Sequence, residues 1–415
     1  STSRRQRQMC IRDRVYTMPE FLERRYNPQS RTILSVISLV SYVLTKVAVT
    51  VYAGGLVFQQ VFGIKELWGI DFFWIAAIGL VVLTALYTIF GGMKSVLYTS
   101  VLQTPILLLG SLIILVLGFK ELGGWDEMMR VCGAVTVNDY GDTMTNLIRS
   151  NDDANFPWLG ALIGSAIIGF WYWCTDQFIV QRVLSGKNEM EARRGTIFGA
   201  YLKLLPVFLF LIPGMIAFAL HQKYIGAGGE GFLPMLANGT ANADAAFPTL
   251  VAKLLPAGVK GLVVCGILAA LMSSLASLFN SSAMLFTIDF YKRFKPETPE
   301  KKLVGIGQIA TIVIVVLGIL WIPIMRSVGD VLYTYLQDVQ SVLAPGIAAA
   351  FLLGICWKRT SAQGGMWGLI SGMVIGLTRL GAKVYYSNAG EVADSTFKYL
   401  FLSLIHISEP TRLDV

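Results

Sequence analysis

The chain has 415 residues, of which 54% are hydrophobic and 14% charged, where a soluble protein carries about a quarter charged residues. Its net charge of +8 sits on Lys and Arg in short loops between apolar blocks, which is a topology signal and no nucleic-acid footprint. Five scattered cysteines and two histidines supply neither a disulfide framework nor a zinc site, so the chain reads as a multi-span protein of the lipid bilayer with no nucleic-acid partner.

The ends do not match what lies between them. Met9–Arg14 can be encoded ATG-TGT-ATA-AGA-GAC-AG, and the reverse complement of that string translates as Leu-Ser-Leu-Ile-His-Ile, residues 402–407. Residues 1–14 and 402–415 therefore read as translated opposite strands of one sequencing-adapter element, leaving a transmembrane domain over 15–401. A natural basic N-terminus and polar tail is the other reading. Within the domain, apolar blocks fall at 33–62, 68–90, 95–119, 157–181, 196–220, 256–290, 303–326, 331–357 and 365–386. That gives nine candidate helices of the ~20 residues a span requires. Glycines interrupt many of them (Gly54-Gly55, Gly91-Gly92, Gly164, Gly169, Gly261, Gly266) and predict close helix packing. The segments ERRYNPQSR, GGMKS, QRVLSGKNEMEARRG, YKRFKPETPEKK and WKR alternate with acidic or mixed loops, which places the basic set on the cytoplasmic side. Residues 120–156 and 221–250 are each expected as an extracytoplasmic loop or short helix.

Polar side chains at membrane depth are costly unless they face a cavity or a partner, and four clusters of them follow in chain order. In WYWCTDQFIVQR (171–182) three aromatics precede Cys174, Thr175, Asp176 and Gln177. The cluster is either an interfacial aromatic belt followed by a loop, or a solute site in which rings stack on a sugar while polar groups take its hydroxyls. Lys203, about seven residues into a span, either snorkels to the cytoplasm or serves that site. In MSSLASLFNSS, Ser273 and Ser274 lie three and four residues after Ala270 and share its helical face. Hydroxyls with a freed carbonyl suit an alkali cation, whereas serines bonding back to their own helix are the plainer alternative. In LQDVQSVLAPG, Gln337, Asp338 and Gln340 precede Pro345-Gly346, which is expected to break or kink the helix.

WYWCTDQFIVQRVLSGKN, YLKLLPVFLFLIPGMIA, LMSSLASLFNSSAMLFTIDFYKR and LQDVQSVLAPGIAAAFLLGICWKR resemble the sodium/glucose cotransporter branch of the sodium–solute symporter family, as do TMPEFLERRYNPQ and LYTIFGGMKSVLYTSVLQT. The resemblance implies an all-α, LeuT-type inverted-repeat core, incomplete because the first repeat lacks counterparts of its first two helices. It also implies sodium-coupled hexose symport by alternating access, with Na+ as the transported coupling ion. By position, Tyr172, Trp173, Lys203 and Gln337 resemble the sugar contacts. Tyr172 and Tyr333 resemble inner and outer gate aromatics, and Ala270, Ser273 and Ser274 resemble half of a sodium site. Ala276 stands where two-sodium members have threonine, Ser100 where many members have aspartate, and Gly169 where relatives often carry a polar contact. One sodium per solute is therefore expected, in a prokaryotic inner membrane. Inositol or sialic acid symport and solute sensing are the alternatives. An enzyme is not expected, because the spans hold no catalytic constellation of His, Cys or carboxylates.

Overall fold

The computed structural model describes residues 17–388 apart from 139–140, 152, 154–156, 237–238 and 329–331, so the expected adapter segments 1–14 and 402–415 lie outside the described residues. Thr17 accepts the Glu20 N–H to open α1 (Met18–Arg25), and Asn27 accepts the Ser30 N–H ahead of Pro28 to open α2 (Pro28–Phe62). A polar N-cap followed by proline in the first turn is the expected helix start. A two-stranded hairpin (Glu66–Leu67 with Ile70–Asp71) leads into α3 (Phe72–Leu122), and a short helix α4 (Trp125–Gly133) follows. Next come α5 (Trp158–Cys174), α6 (Gln177–Leu184), α7 (Glu189–Gly226) and α8 (Ala246–Leu254). The chain continues through α9 (Ala257–Phe294), α10 (Glu300–Val328), α11 (Leu332–Cys356) and α12 (Ala362–Asn388).

Among the described residues, six helices are long and apolar enough to cross a membrane, or seven if the bent pair α5–α6 is one span. Glycines, Ser371, Thr378 and Arg379 dilute α12, which is helical but is not among the six. The expected helices 68–90 and 95–119 are a single helical run, α3, of 51 residues. At 1.5 Å per residue a straight helix of that length would reach ~75 Å, yet Phe72 and Leu122 both pack into one cluster with Ile216, Leu220 and Leu250. The second half runs antiparallel to α9, with Ser100 against Ser273, Gly266 on Ile106 and Gly110 on Val263. In the first half Leu80 meets Gly54 beside Leu271. The run therefore turns back on itself, and Gly91-Gly92 lies midway between these levels.

Of the break or kink expected at Pro345 the break does not occur, since α11 is helical on both sides of it; proline removes one ladder bond that neighbouring helices can compensate. Helix α8 with the 3-10 turn Ala243–Ala245 supplies a short helix at the end of 221–250. Glycine packing holds in part. A Cβ on Gly54, Gly55 or Gly266 would fall within 3 Å of Leu80, Phe73 or Ile106, while Gly164, Gly169 and Gly261 meet nothing within 4 Å.

Three of the five basic segments converge on one end of the bundle. Arg25 donates to the carbonyls of Gly354 and Trp357, Arg31 pairs with Asp289, and Arg293 donates to the Pro28 carbonyl. The opposite end gathers α4, α8 and the two ends of α3. There the Asp244 carboxylate accepts the Leu332 N–H at the start of α11.

Candidate functional site

The polar interruption at 174–177 is where the helix breaks: α5 and α6 meet at 48°. The Thr175 hydroxyl turns back onto the Trp171 carbonyl at 2.7 Å, ending α5. Asp176 adopts extended backbone and caps α6 by accepting the Phe178 N–H at 3.1 Å. The Gln177 side chain accepts the Met18 N–H at 2.8 Å, tying α1 to the break, and Gln181 donates to the Ser277 carbonyl of α9 at 2.9 Å. Thr175, Asp176, Gln177 and Gln181 are all buried. They hold the bend from inside, where the sequence suggested a cavity lining.

Sequence reasoning missed the charge that balances Asp176. Lys46 of α2 forms an ion pair with it, the two side chains being 10% and 3% exposed. Tyr42 donates to the same carboxylate at 3.0 Å and accepts from the Phe178 N–H. The ammonium is also ringed by aromatics, with centroids 4.7 Å away for Tyr42, 5.3 Å for Tyr172 and 4.5 Å for Phe178, within cation–π range. The signal was available, since Lys46 is the sole charge in the run 33–62. A void of about 10 Å³ beside the bend is lined by Ser41, Tyr42, Thr175 and Asp176, and the buried Ser41 hydroxyl has no hydrogen-bond partner among the described residues.

Of the expected solute contacts, three come together. The rings of Tyr172 and Trp173 lie edge to face at 5.1 Å, and the Lys203 ammonium stands 4.8 Å over Trp173. Tyr172 is half-buried, whereas Trp173 is 44% exposed and Lys203 is exposed. The patch thus places an aromatic face and an ammonium group side by side at the surface of the bundle. Gln337 is half-buried on α11, with no hydrogen bond among the described residues. The side chain of Tyr333 lies outside those described.

The expected cation oxygens lie on uninterrupted helix. Residues Ala257–Met284 are α-helical, so the Ala270 carbonyl is not freed and has only its second lone pair to offer. Ser273 is buried, and its hydroxyl shares a 2.6 Å hydrogen bond with Ser100. The Ser273 carbonyl accepts from Ser277 at 2.9 Å. That back-bond is the plainer behaviour weighed from the sequence, seen one turn further along. Ser274 and Ala270 are half-buried. Arg182 of α6 donates to the Ser277 hydroxyl, connecting the bent pair to the serine ladder.

The sequence profile of the sodium:solute symporter family matches residues 7–372. The chain belongs to that family. Relatives of this symporter-family chain include the Homo sapiens sodium/myo-inositol cotransporter 2, 36% identical over 95% of the chain and 60% of the relative. The Bos taurus sodium/mannose cotransporter is 38% identical over 88% of the chain and 62% of the relative. The Mus musculus sodium/glucose cotransporter 4 is 36% identical over 94% and 59%. The chain thus spans about three-fifths of the length of these relatives. Its fold is similar to a solved Na+-coupled sialic acid symporter in a substrate-bound outward-open state, with a TM-score of 0.65. That match is 20% identical and covers 92% of this chain and 83% of the other. The inverted-repeat transporter fold expected from the motifs is thereby supported, and the chain is a multi-pass membrane protein of a transporter family.

Proposed function

We propose that the protein is a sodium-coupled symporter that moves a hexose across a prokaryotic inner membrane by alternating access. Tyr172, Trp173, Lys203 and Gln337 contact the sugar, Tyr172 and Tyr333 gate it, and Ala270, Ser273 and Ser274 supply oxygens to Na+. The observation that carries this reading is the contiguous Tyr172–Trp173–Lys203 patch beside a helix broken within the bundle. A ring face stacks on the apolar C–H surface of a sugar while the ammonium donates to its hydroxyls. Sodium and sugar couple if each favours the same outward-open state, because a shared state preference makes each raise the other's affinity. The relatives' names favour a second solute class, since myo-inositol and mannose cotransporters stand beside a glucose cotransporter.

The test is uptake of radiolabelled glucose, galactose and myo-inositol into proteoliposomes holding the full-length protein, with and without an inward sodium gradient. Uptake that needs the gradient is expected, greatest for a hexose. Equal uptake in both conditions would remove the sodium claim, and uptake of inositol alone would move the substrate to the second class.

A further inference from the structure

Lys46 and Asp176 are an expensive choice for the middle of an apolar bundle. Charged side chains in a span are costly and gather where a transporter does its work, and a buried ion pair is weak evidence for stability because desolvation offsets its attraction. Well-packed apolar residues would hold two helices together at least as well. The location of this pair is informative. Asp176 is the residue at which α5 stops and α6 starts, and its carboxylate gathers three donors: the Lys46 ammonium, the Tyr42 hydroxyl and the Phe178 N–H. The same ammonium lies against the ring of Tyr172, whose other neighbours are Trp171 at 6.2 Å and Trp173 at 5.1 Å. One cation thereby touches both the hinge of the broken helix and the first aromatic of the exposed patch.

We infer that Lys46 and Asp176 are positioning residues that set solute affinity by fixing the bend and, through it, the orientation of Tyr172. Neither reaches the patch surface, so their effect passes through the ring. The inference rests on the solute role proposed for Tyr172. Lys46 lies in the wide turn Tyr42–Val47 of α2, a local π-helical stretch of the kind that often marks functional positions. That turn carries both the cation and the tyrosine that share Asp176.

The test uses the full-length protein in proteoliposomes and compares wild type with Asp176→Asn, Lys46→Met and the double variant. Asp176→Asn keeps an oxygen for the Phe178 cap and the Tyr42 hydroxyl while removing the charge and the acceptor that faces Lys46, so it is the variant most able to fold. The solute KM is read alongside uptake at saturating solute, because KM does not depend on how much protein folds. Each single change is expected to raise KM about tenfold, with saturating uptake per folded protein changed far less. The double variant is expected to resemble a single one, since the pair acts as one unit. In parallel, alkylation of Cys174, which is half-buried beside the break, is expected to change rate in the single variants. Sodium-driven uptake with an unchanged KM in Asp176→Asn overturns the inference, even if Cys174 responds. So does a double variant whose KM effect is the product of the two. Wild-type protein that takes up no solute overturns the proposed function and the inference with it, and that outcome is distinct from the other two.

Discussion

The serine at position 100 sits against the hydroxyl of Ser273, one of the oxygens proposed for Na+. A carboxylate introduced there would place negative charge next to the proposed ion, whereas removing a hydroxyl subtracts a ligand. Ser100→Asp is therefore expected to lower the sodium concentration for half-maximal uptake, and Ser274→Ala to raise it, each by about tenfold (~1.4 kcal/mol). Sodium titrations of solute uptake read both, and shifts of the same sign would contradict the placement. At the solute patch, Trp173 stands exposed with Lys203 over its ring. Trp173→Ala removes the stacking surface and the seat of the ammonium together. A rise in solute KM of about tenfold is expected, in line with ~0.5–1.5 kcal/mol for an aromatic contact and ~0.5–1 for a cation–π pair. An unchanged KM would show that the sugar binds elsewhere.

Between elements, α11 and α12 approach closely at paired glycines. A Cβ on Gly372 would lie 2.7 Å from the Gly346 Cα, a backbone atom that no rotamer change can move aside, while Gly164 of α5 has open space around it. Gly372→Ala is expected to destabilise the detergent-solubilised protein by ~1–3 kcal/mol through overpacking, and Gly164→Ala to leave its Tm unchanged or slightly raised. Thermal unfolding of the two variants separates the cases. The segment after α4 is organised differently, around one acid. The Asp142 carboxylate accepts the Ser150 N–H at 2.7 Å and the Asn138 and Asn146 amides. These bonds, the Ser150 amide foremost, hold its pKa below the ordinary 3.8. A depressed acid stabilises the fold at all pH values above its unfolded pKa and loses that contribution as pH falls through the folded one. Cleavage of this segment by pepsin is therefore expected to rise below pH 3.8 in the wild type. In Asp142→Asn it is expected to be high across the same range, and matching profiles would refute the account.

For the whole molecule, convergence of Arg25, Arg31 and Arg293 at one end gives sidedness that can be checked. Cys356 is exposed at that end, next to the Trp357 carbonyl held by Arg25. A membrane-impermeant thiol reagent is expected to label it in inside-out vesicles and spare it in right-side-out ones, and the reverse would invert the topology. Much of this organisation was legible beforehand, because apolar block length and loop charge act locally and survive folding. The polar stretch 174–177 announced the broken helix, and Tyr172, Trp173 and Lys203 proved to be neighbours. The partner of Asp176 was not legible, since Lys46 lies 130 positions away and pairing across a bundle leaves no periodic trace. Pro345 does not break α11, and the packing of neighbouring helices around it was not legible either. The blocks expected on either side of Gly91-Gly92 pack separately, Leu80 against Gly54 and Ile106 against Gly266, although the assignment is helical throughout α3.

The wide turn Tyr42–Val47 in α2 has a consequence for how the family's sequences can vary in length. A π-helical turn accommodates one residue more than the ladder around it would hold. Deleting one residue between Tyr42 and Lys46 would close that turn into a regular helix and leave the register downstream unchanged, because the extra residue is absorbed in the widened turn. Gly54 and Gly55 would still face Leu80 and Phe73, the side chains they are small enough to admit. What the deletion would remove is the spacing that lets Tyr42 and Lys46 share Asp176. Homologous chains that keep both partners of Asp176 should therefore show no gap between them.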